Sequence, residues 1–119
     1  MLIMKRAPVK YIRDRAKGAY VKAGSCYICG DSGRLDLHHY SSVTALFERW
    51  SKGRDVSDIL TCRDEFIAEH RVELYDEVVT LCHKHHLELH GVYGVKPLLS
   101  SASAQRAWVE RKRAKLDQK

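Results

Sequence analysis

The chain has 119 residues, of which 45% are hydrophobic, so it has the size of one domain that can bury a core. Its formal net charge of +6 is concentrated in residues 1–22 and 96–119, which suits a protein that binds a polyanion, although a plain solvated surface would look the same. No segment approaches the run of about 20 apolar residues that crosses a bilayer, and Lys5 and Arg6 follow Met1–Met4 at once, so we expect no membrane span, no signal peptide and a reducing cytoplasm.

The first predicted element is a basic amphipathic helix over residues 8–23. Apolar residues recur there at helical spacing from Val9 to Ala23, Pro8 stands near the first turn, and Gly24 marks the end. The basic face of this helix could lie on phosphates or simply face water.

A compact turn follows, in which Cys26 and Cys29 are separated by two residues and followed by Gly30. Two cysteines at this spacing can bind one ion from a single turn, and glycine tolerates the backbone conformation that such a turn needs. In a chain without an export signal, cysteines are metal ligands or free thiols before they are disulfides. Alternating apolar residues then predict a short strand from Leu35 to His39 or Tyr40.

Two helices are predicted within an insertion over residues 41–75. The first covers residues 42–52, with Ser41 or Ser42 as its cap. The second begins after Ser57 or Asp58 and carries apolar residues at helical spacing.

Two side chains on the second of these helices have a chemistry of their own. Cys62 lies on the apolar stripe, so we interpret it as a buried thiol. His70 is interpreted as a packed or surface histidine rather than a ligand.

A second strand is predicted over residues 77–81, where β-branched residues cluster, and a helix over residues 83–91. After a loop at Gly94 and Pro97, a second basic helix is predicted from Ser103 to Leu116.

The histidines and cysteines divide into two candidate metal sites. Two pairs, each with two residues between its members, supply the four ligands of a structural zinc site: Cys26, Cys29, Cys82 and His85. Such a site would tie the cysteine turn to the helix at residues 83–91, and much of the stability could depend on it.

The second constellation consists of His38, His39, His86 and His90. His86 and His90 are four apart on the predicted helix and point the same way, so an ion can sit between them and the histidine doublet if the strand packs on the helix. A neighbouring histidine could then act as a general base beside a hard divalent ion. The alternatives are a second structural zinc or uncommitted surface histidines.

These motifs resemble those of the HNH endonucleases that have a ββα-metal fold and an added zinc knuckle. The matching residues are, in chain order, Cys26, Cys29, Leu37, His38, His39, Glu77 to Cys82, His85, His86 and His90. The resemblance covers roughly residues 20–92. The segments from Tyr93 to Pro97 and from Trp108 to Arg111 are also similar to the C-terminal extension of small phage-encoded members.

The resemblance implies an activity and a role for each matching histidine. The activity is hydrolysis of a DNA phosphodiester with one catalytic divalent ion, such as Mg²⁺ or Mn²⁺, leaving a 3′-hydroxyl and a 5′-phosphate. His38 would be a metal ligand and His39 the general base. His86 would be a second ligand, and His90 a third, as in the nuclease domains of colicins.

Two residues depart from the family's pattern. Glu77 stands where the family has an asparagine that orients the loop bearing the base; it could orient the loop, bind the metal or mark a weakened enzyme. His85 stands where the second downstream cysteine is usual, and imidazole is an acceptable zinc ligand. His83 is then a solvent-facing spare. The insertion either enlarges the core or contacts DNA through Arg49, Lys52 and Arg54.

The sequence therefore predicts one α+β domain over residues 1–119. It comprises a basic N-terminal helix unit (1–24), a zinc knuckle and ββα-metal core with its helical insertion (25–92), and a basic C-terminal extension (93–119). The leading hypothesis is a metal-dependent HNH endonuclease whose basic ends hold the DNA backbone. The alternatives are a non-catalytic zinc-stabilised nucleic-acid-binding module and a partner-dependent nuclease subunit in phage DNA processing or packaging. A phage-encoded protein would act in the host cytoplasm.

Overall fold

The computed structural model of the chain describes residues 7–117. The prediction that there is no signal peptide rests on Met1–Met4, Lys5 and Arg6, which lie outside the described residues. The elements in chain order are α1 (Pro8–Ala16), β1 (Leu35–His39), α2 (Val43–Ser51), α3 (Ile59–Glu69), β2 (Val78–Cys82), α4 (His83–Tyr93) and α5 (Ala102–Asp117). Within residues 7–117, no helix combines the length and the apolar character needed to cross a bilayer.

The two strands form a small antiparallel sheet, so the fold is a mixed α+β domain. Leu35 pairs with Cys82 and His39 with Val78, which matches the two predicted strands to within a residue. Helix α4 begins directly after β2 and contacts both strands. Because neighbouring side chains on a strand point to opposite faces, His38 and His39 leave the sheet in different directions.

A first hydrophobic cluster is built by α1, α2, α3 and the turn after α3. Its buried members are Ile12, Val43, Leu46, Phe47, Ile59, Cys62, Phe66 and Leu74. Most of them belong to the insertion, which therefore enlarges the core. The guanidinium of Arg54, one of the residues considered for DNA contact, lies 4.2 Å from the centre of the Trp50 ring. Cys62 is a buried thiol, as predicted.

The insertion helices start at the predicted caps. The Ser42 hydroxyl accepts a hydrogen bond from the Ala45 N–H (3.2 Å), and the Asp58 carboxylate accepts one from the Thr61 N–H (3.3 Å). Such caps satisfy N–H groups that the first turn of a helix leaves without partners, and each contributes about 1 kcal/mol.

A second hydrophobic cluster joins the sheet, α4, α5 and the cysteine turn. Its buried members are Cys26, Ile28, Tyr40, Leu81, Cys82, Leu89, Trp108 and Val109. Three of the candidate zinc ligands, Cys26, Cys82 and His85, are buried at this cluster. The cysteine turn and the C-terminal helix are therefore parts of one packed unit with the sheet.

The N-terminal helix is shorter than the predicted span of residues 8–23. Helix α1 ends at Ala16, and a 3₁₀ turn covers Lys17–Ala19. Gly18 disfavours helix by about 1 kcal/mol relative to alanine. The chain beyond it bonds to the sheet instead: the Ala23 N–H donates to the Thr80 hydroxyl (2.8 Å), and the Lys22 ammonium donates to the Leu35 carbonyl (3.1 Å).

The second insertion helix also ends earlier than its apolar spacing predicts. Helix α3 stops at Glu69, and one turn of π-helix covers Val72–Asp76. The His70 side chain explains the break, because its Nδ1 bonds the Phe66 carbonyl (2.8 Å) that the helix would otherwise use. The ring also stacks on Phe66 with centroids 4.1 Å apart, so His70 is a packed histidine, as interpreted from the sequence.

Candidate metal centres

The cysteine turn is held closed by its own backbone. The Cys26 N–H donates to the Asp31 carbonyl and the Gly30 N–H donates to the Cys26 carbonyl, both at 2.8 Å. Gly30 has φ +77°, in the left-handed region where a side chain would be strained. This turn carries the thiols of Cys26 and Cys29 toward β2 and the start of α4.

The four predicted zinc ligands meet at one point, at the junction of the turn, β2 and α4. All four ligand atoms lie within 4.8 Å of one another. The Cys29 and Cys82 sulfurs are 3.9 Å apart, and His85 Nδ1 is 3.8 Å from the Cys26 sulfur. A zinc ion with Zn–S bonds of about 2.3 Å needs tetrahedral sulfur–sulfur edges of about 3.8 Å. The Cys₃His group therefore fits a closed zinc site.

The backbone around the turn also prepares a thiolate. Burial raises the pKa of the Cys26 thiol, but hydrogen bonds from the backbone of Cys29, Cys82 and Ile28 and from the His85 ring outweigh it and lower the pKa to about 6. The form that binds a metal is the thiolate. All four cysteines of the chain are free of disulfides.

The second group forms where α4 faces β1. His86 and His90 are one turn apart on α4, and His38 on β1 faces both, with ring centroids 5.2 Å from each of them. One nitrogen from each of these three rings lies within 4.8 Å of one nitrogen from the others. The structure thus brings together the three predicted ligands of the second ion.

One nitrogen of each of these three rings bonds an oxygen. His86 Nδ1 lies 3.1 Å from the Asp36 carboxylate, and His90 Nδ1 lies 2.8 Å from the Gly94 carbonyl. His38 Nε2 lies 2.7 Å from Oε1 of Gln105. Because carboxylate and carbonyl oxygens only accept, these nitrogens carry protons, and in neutral rings the lone pairs are on His86 Nε2, His90 Nε2 and His38 Nδ1. This is how metal-binding histidines are usually held.

In neutral rings, the lone pairs of the two α4 histidines face each other. His86 Nε2 and His90 Nε2 are 3.1 Å apart, and the bonds on their Nδ1 atoms assign a lone pair to both. Two lone pairs at this distance repel unless a cation is shared between them. Burial also lowers the pKa of His38 to about 4, so its ring is neutral at pH 7. The donor set therefore fits a divalent ion.

His39 is positioned by the helical part of the molecule. Its Nε2 donates to the Leu74 carbonyl in the π-helical turn at 3.0 Å, which leaves Nδ1 with a lone pair. The ring of Tyr20 packs 4.9 Å from the His39 ring. Burial lowers the pKa of His39, so its ring is also neutral.

One hollow of ≈ 420 Å³ is bordered by all four histidines of the second group: His38, His39, His86 and His90. His38 and His39 can both border it because they are the last two residues of β1. An adjoining hollow of ≈ 780 Å³ shares Lys17, Tyr20 and His86 with it and adds Lys22 and Arg34. A larger hollow, ≈ 900 Å³, lies between the cysteine turn and α5 and is lined by none of the four. The converging nitrogens thus border the two smaller hollows, which share several lining residues.

Glu77 directly follows the π-helical turn. Its backbone N–H donates to the Val72 carbonyl (2.8 Å), and its carbonyl accepts from the Tyr40 N–H (3.2 Å). Within residues 7–117, its carboxylate has neither a hydrogen-bond nor an ion-pair partner. Glu77 therefore holds the loop that contains Leu74 by the hydrogen bonds of its own main chain.

The sequence did not predict that Asp36 and Gln105 hold these histidines. It also predicted a different environment for His83. Asp36 accepts hydrogen bonds from both His83 (3.0 Å) and His86, so His83 is not a solvent-facing spare. The bonds from the two histidines outweigh burial and keep the pKa of Asp36 below its usual value. Asp36 stands two residues before His38 on a strand, and that spacing puts both on one face. Gln105 had no such signal, because a glutamine on a basic helix is typical of a surface.

A comparison with protein families matches this chain along almost all of its length. The family model is that of the phage T5 nicking endonucleases, described as the nicking endonuclease family, and it matches residues 3–118. No solved structure matches the chain. The chain therefore belongs to the phage T5 nicking endonuclease family, a family of endonucleases that act on DNA.

Proposed function

We propose that the protein is a metal-dependent endonuclease of the HNH type that cuts one strand of duplex DNA. The observation that carries this proposal is the convergence of His38, His86 and His90 on a hollow that His39 also borders. Family membership supports DNA cleavage, and the order β1, β2, α4 agrees with the ββα-metal core that the resemblance implies.

His38, His86 and His90 would hold the catalytic divalent ion. Such an ion, Mg²⁺, Mn²⁺ or another, supplies Lewis-acid stabilisation of the charge that develops on the phosphate and the leaving oxygen. Three neutral imidazoles leave the charge of the ion uncompensated. Asp36 and Gly94 keep the His86 and His90 rings turned toward it.

His39 would be the general base. Its Nδ1 takes a proton from the attacking water, while the Leu74 carbonyl holds Nε2–H and keeps the ring in place. A neutral imidazole is the form that can accept this proton. Glu77 would serve this step indirectly, because its main chain fixes the π-helical turn that presents the Leu74 carbonyl.

The DNA backbone would lie along the basic rim of the two connected hollows. We define the basic rim as Arg13, Lys17, Lys22 and Arg34. These cations come from α1, the turn after it and the approach to β1, beside the histidines. Their contacts would neutralise phosphates and position the strand without reading its sequence.

The Cys₃His group would be a structural zinc site. Its four ligands come from the cysteine turn, β2 and α4, and together they fill a tetrahedral coordination shell. No coordination position would be left open for a substrate. Its role is to fix α4, and with α4 the two histidines of the other site.

Relaxation of a supercoiled plasmid tests this function. Zinc-loaded protein with added Mg²⁺ or Mn²⁺ should convert supercoiled DNA to open circles before any linear DNA appears. His39→Ala should lower the rate by about 10² to 10⁴ while both metals stay bound. Glu65→Gln, at an exposed residue of α3 that borders neither hollow, is the control and should keep the rate.

Full activity in His39→Ala would contradict the proposed mechanism. DNA binding without cleavage under any divalent ion would instead favour the non-catalytic zinc-stabilised module. Cleavage that appears only after a second phage protein is added would indicate the partner-dependent subunit.

A further inference from the structure

Gln105 is a buried polar side chain at a place where the helix calls for an apolar one. It lies one turn before Val109 on the same face of α5, and both residues are fully buried. Burying an amide costs about 1–3 kcal/mol unless its hydrogen bonds are made. An apolar side chain here would extend the hydrophobic cluster, so the amide has a role beyond packing.

The direction of every hydrogen bond around Gln105 is fixed. The Ser101 hydroxyl donates to the Leu98 carbonyl at 2.7 Å, since a carbonyl only accepts. The Ser101 oxygen then accepts from the Gln105 amide N–H at 2.9 Å, which turns Oε1 of Gln105 toward His38. Oε1 accepts in turn, so the proton of His38 lies on Nε2.

We infer that Gln105 is a positioning residue of the catalytic ion site, which fixes the tautomer and the ring orientation of His38. The inference rests on the proposed function, because it takes His38 as a ligand of that ion. With the proton held on Nε2 by the Gln105 oxygen, the lone pair of Nδ1 is always available.

A consequence concerns the C-terminal extension. The start of α5 and the 3₁₀ turn at Leu99–Ser101 supply the chain of hydrogen bonds that ends on His38. The extension therefore completes the metal site from outside the β1, β2 and α4 unit, in addition to any contact that its basic residues make with DNA.

The test compares Gln105→Met with Gln105→Glu in zinc-loaded protein. Met keeps the length and volume of the side chain but removes the acceptor, whereas Glu keeps an acceptor oxygen for His38. The readouts are the dissociation constant of Mn²⁺, from electron paramagnetic resonance, and the His38 tautomer, from ¹⁵N chemical shifts of the imidazole. Gln105→Met should weaken Mn²⁺ binding about 10- to 100-fold and release the tautomer, and Gln105→Glu should restore both.

Controls separate positioning from folding. Ser103→Ala, on the exposed face of the same helix, should change neither readout. Ser101→Ala leaves the bulk of Gln105 in place but frees its amide to turn, so it should weaken Mn²⁺ binding in the same direction by a smaller factor. If Gln105→Met loses its zinc or its cooperative thermal transition, Ser101→Ala replaces it as the test variant.

Two results would overturn different claims. Unchanged Mn²⁺ affinity and an unchanged His38 tautomer in folded Gln105→Met would overturn the role of Gln105. Wild-type protein whose Mn²⁺ binding equals that of His86→Ala would overturn the proposed ion site, and the tautomer measurement, which needs no second ion, would still decide whether Gln105 fixes His38.

Discussion

The two candidate metal sites share helix α4 but differ in what surrounds them. Three of the four Cys₃His ligands are buried at the second hydrophobic cluster and Cys29 is exposed, whereas the three histidines open on a hollow with a basic rim. His85 and His86 are neighbours in sequence, and about 100° of helical rotation sends one ring to each group. A single helix thus places a closed site and an open site side by side.

The two groups also differ in the charges of their ligands. Three thiolates more than neutralise a bound Zn²⁺, so the closed site has little electrostatic effect on a phosphate. Three neutral imidazoles neutralise nothing, so a divalent ion there keeps its full charge for the substrate. Under the proposed function, ligand type and access would together separate a site that stabilises the fold from a site that acts on DNA.

The largest expected effect comes from opening the closed site with Cys82→Ser. Structural zinc contributes about 10–16 kcal/mol, as much as the whole stability of about 5–15 kcal/mol for a small domain. The variant should lose zinc and its cooperative thermal transition, measured by metal analysis and circular dichroism. Cys62→Ser changes a buried cysteine that is no ligand, and it should keep one zinc per chain. Zinc retained in Cys82→Ser would contradict the role of Cys82 as a ligand, and the contrast between the Cys₃His group and the three histidines would no longer hold.

The neighbours on α4 should fail in opposite ways. His86→Ala should abolish binding of the second ion and plasmid nicking while the zinc content and the thermal transition stay close to wild type. His85→Ala should lower the zinc content and the stability instead. Metal analysis, calorimetric titration with Mn²⁺ and thermal melts distinguish the two. Similar phenotypes in both variants would mean that the two groups act as one site.

Asp36→Asn should weaken the open site without emptying it. The amide has no charge, and its NH₂ can turn toward His86, which disturbs the bond that keeps the lone pair on Nε2. We expect Mn²⁺ to bind about 10- to 100-fold more weakly, with zinc unchanged. His83→Ala removes the other partner of the same carboxylate and leaves His86 bonded, so its loss should be smaller. Equal losses would place the role of Asp36 in local packing.

The smallest effect is expected on the basic rim. The Lys17 ammonium is exposed and lies 3.7 Å from Asp14 in a weak pair, so it is available to a phosphate. Lys17→Ala should reduce DNA affinity a few-fold and lower the slope of log K against log salt by about 1. Lys52→Ala, at the end of α2, is the matched control because this lysine does not border the hollows. Equal changes in both variants would show that binding follows net charge alone.

The sequence predicted the parts of this structure that depend on spacing. The cysteine pair, the i, i+4 histidines and the caps at Ser42 and Asp58 are local patterns, and the structure places all of them as expected. What could not be predicted depends on contacts between distant segments. Gln105 meets His38 across 67 positions, and nothing in the sequence around Gln105 indicates burial. The π-helical turn likewise follows from the bond between His70 and Phe66, which competes with a helical pattern that continues.

The placement of both groups on α4 has a consequence for how relatives can diverge. Inserting or deleting one residue between Cys82 and His90 would rotate everything after it by about 100° and send ligands to the wrong group. The length of this segment should therefore be invariant among functional relatives. The stretch from Val43 to Asp76 should tolerate changes in length, because it would reach the proposed reaction through the Leu74 carbonyl and otherwise packs mainly on itself and on α1, with an exposed ion pair from Glu48 to Lys96. Natural variation in chain length should accumulate there.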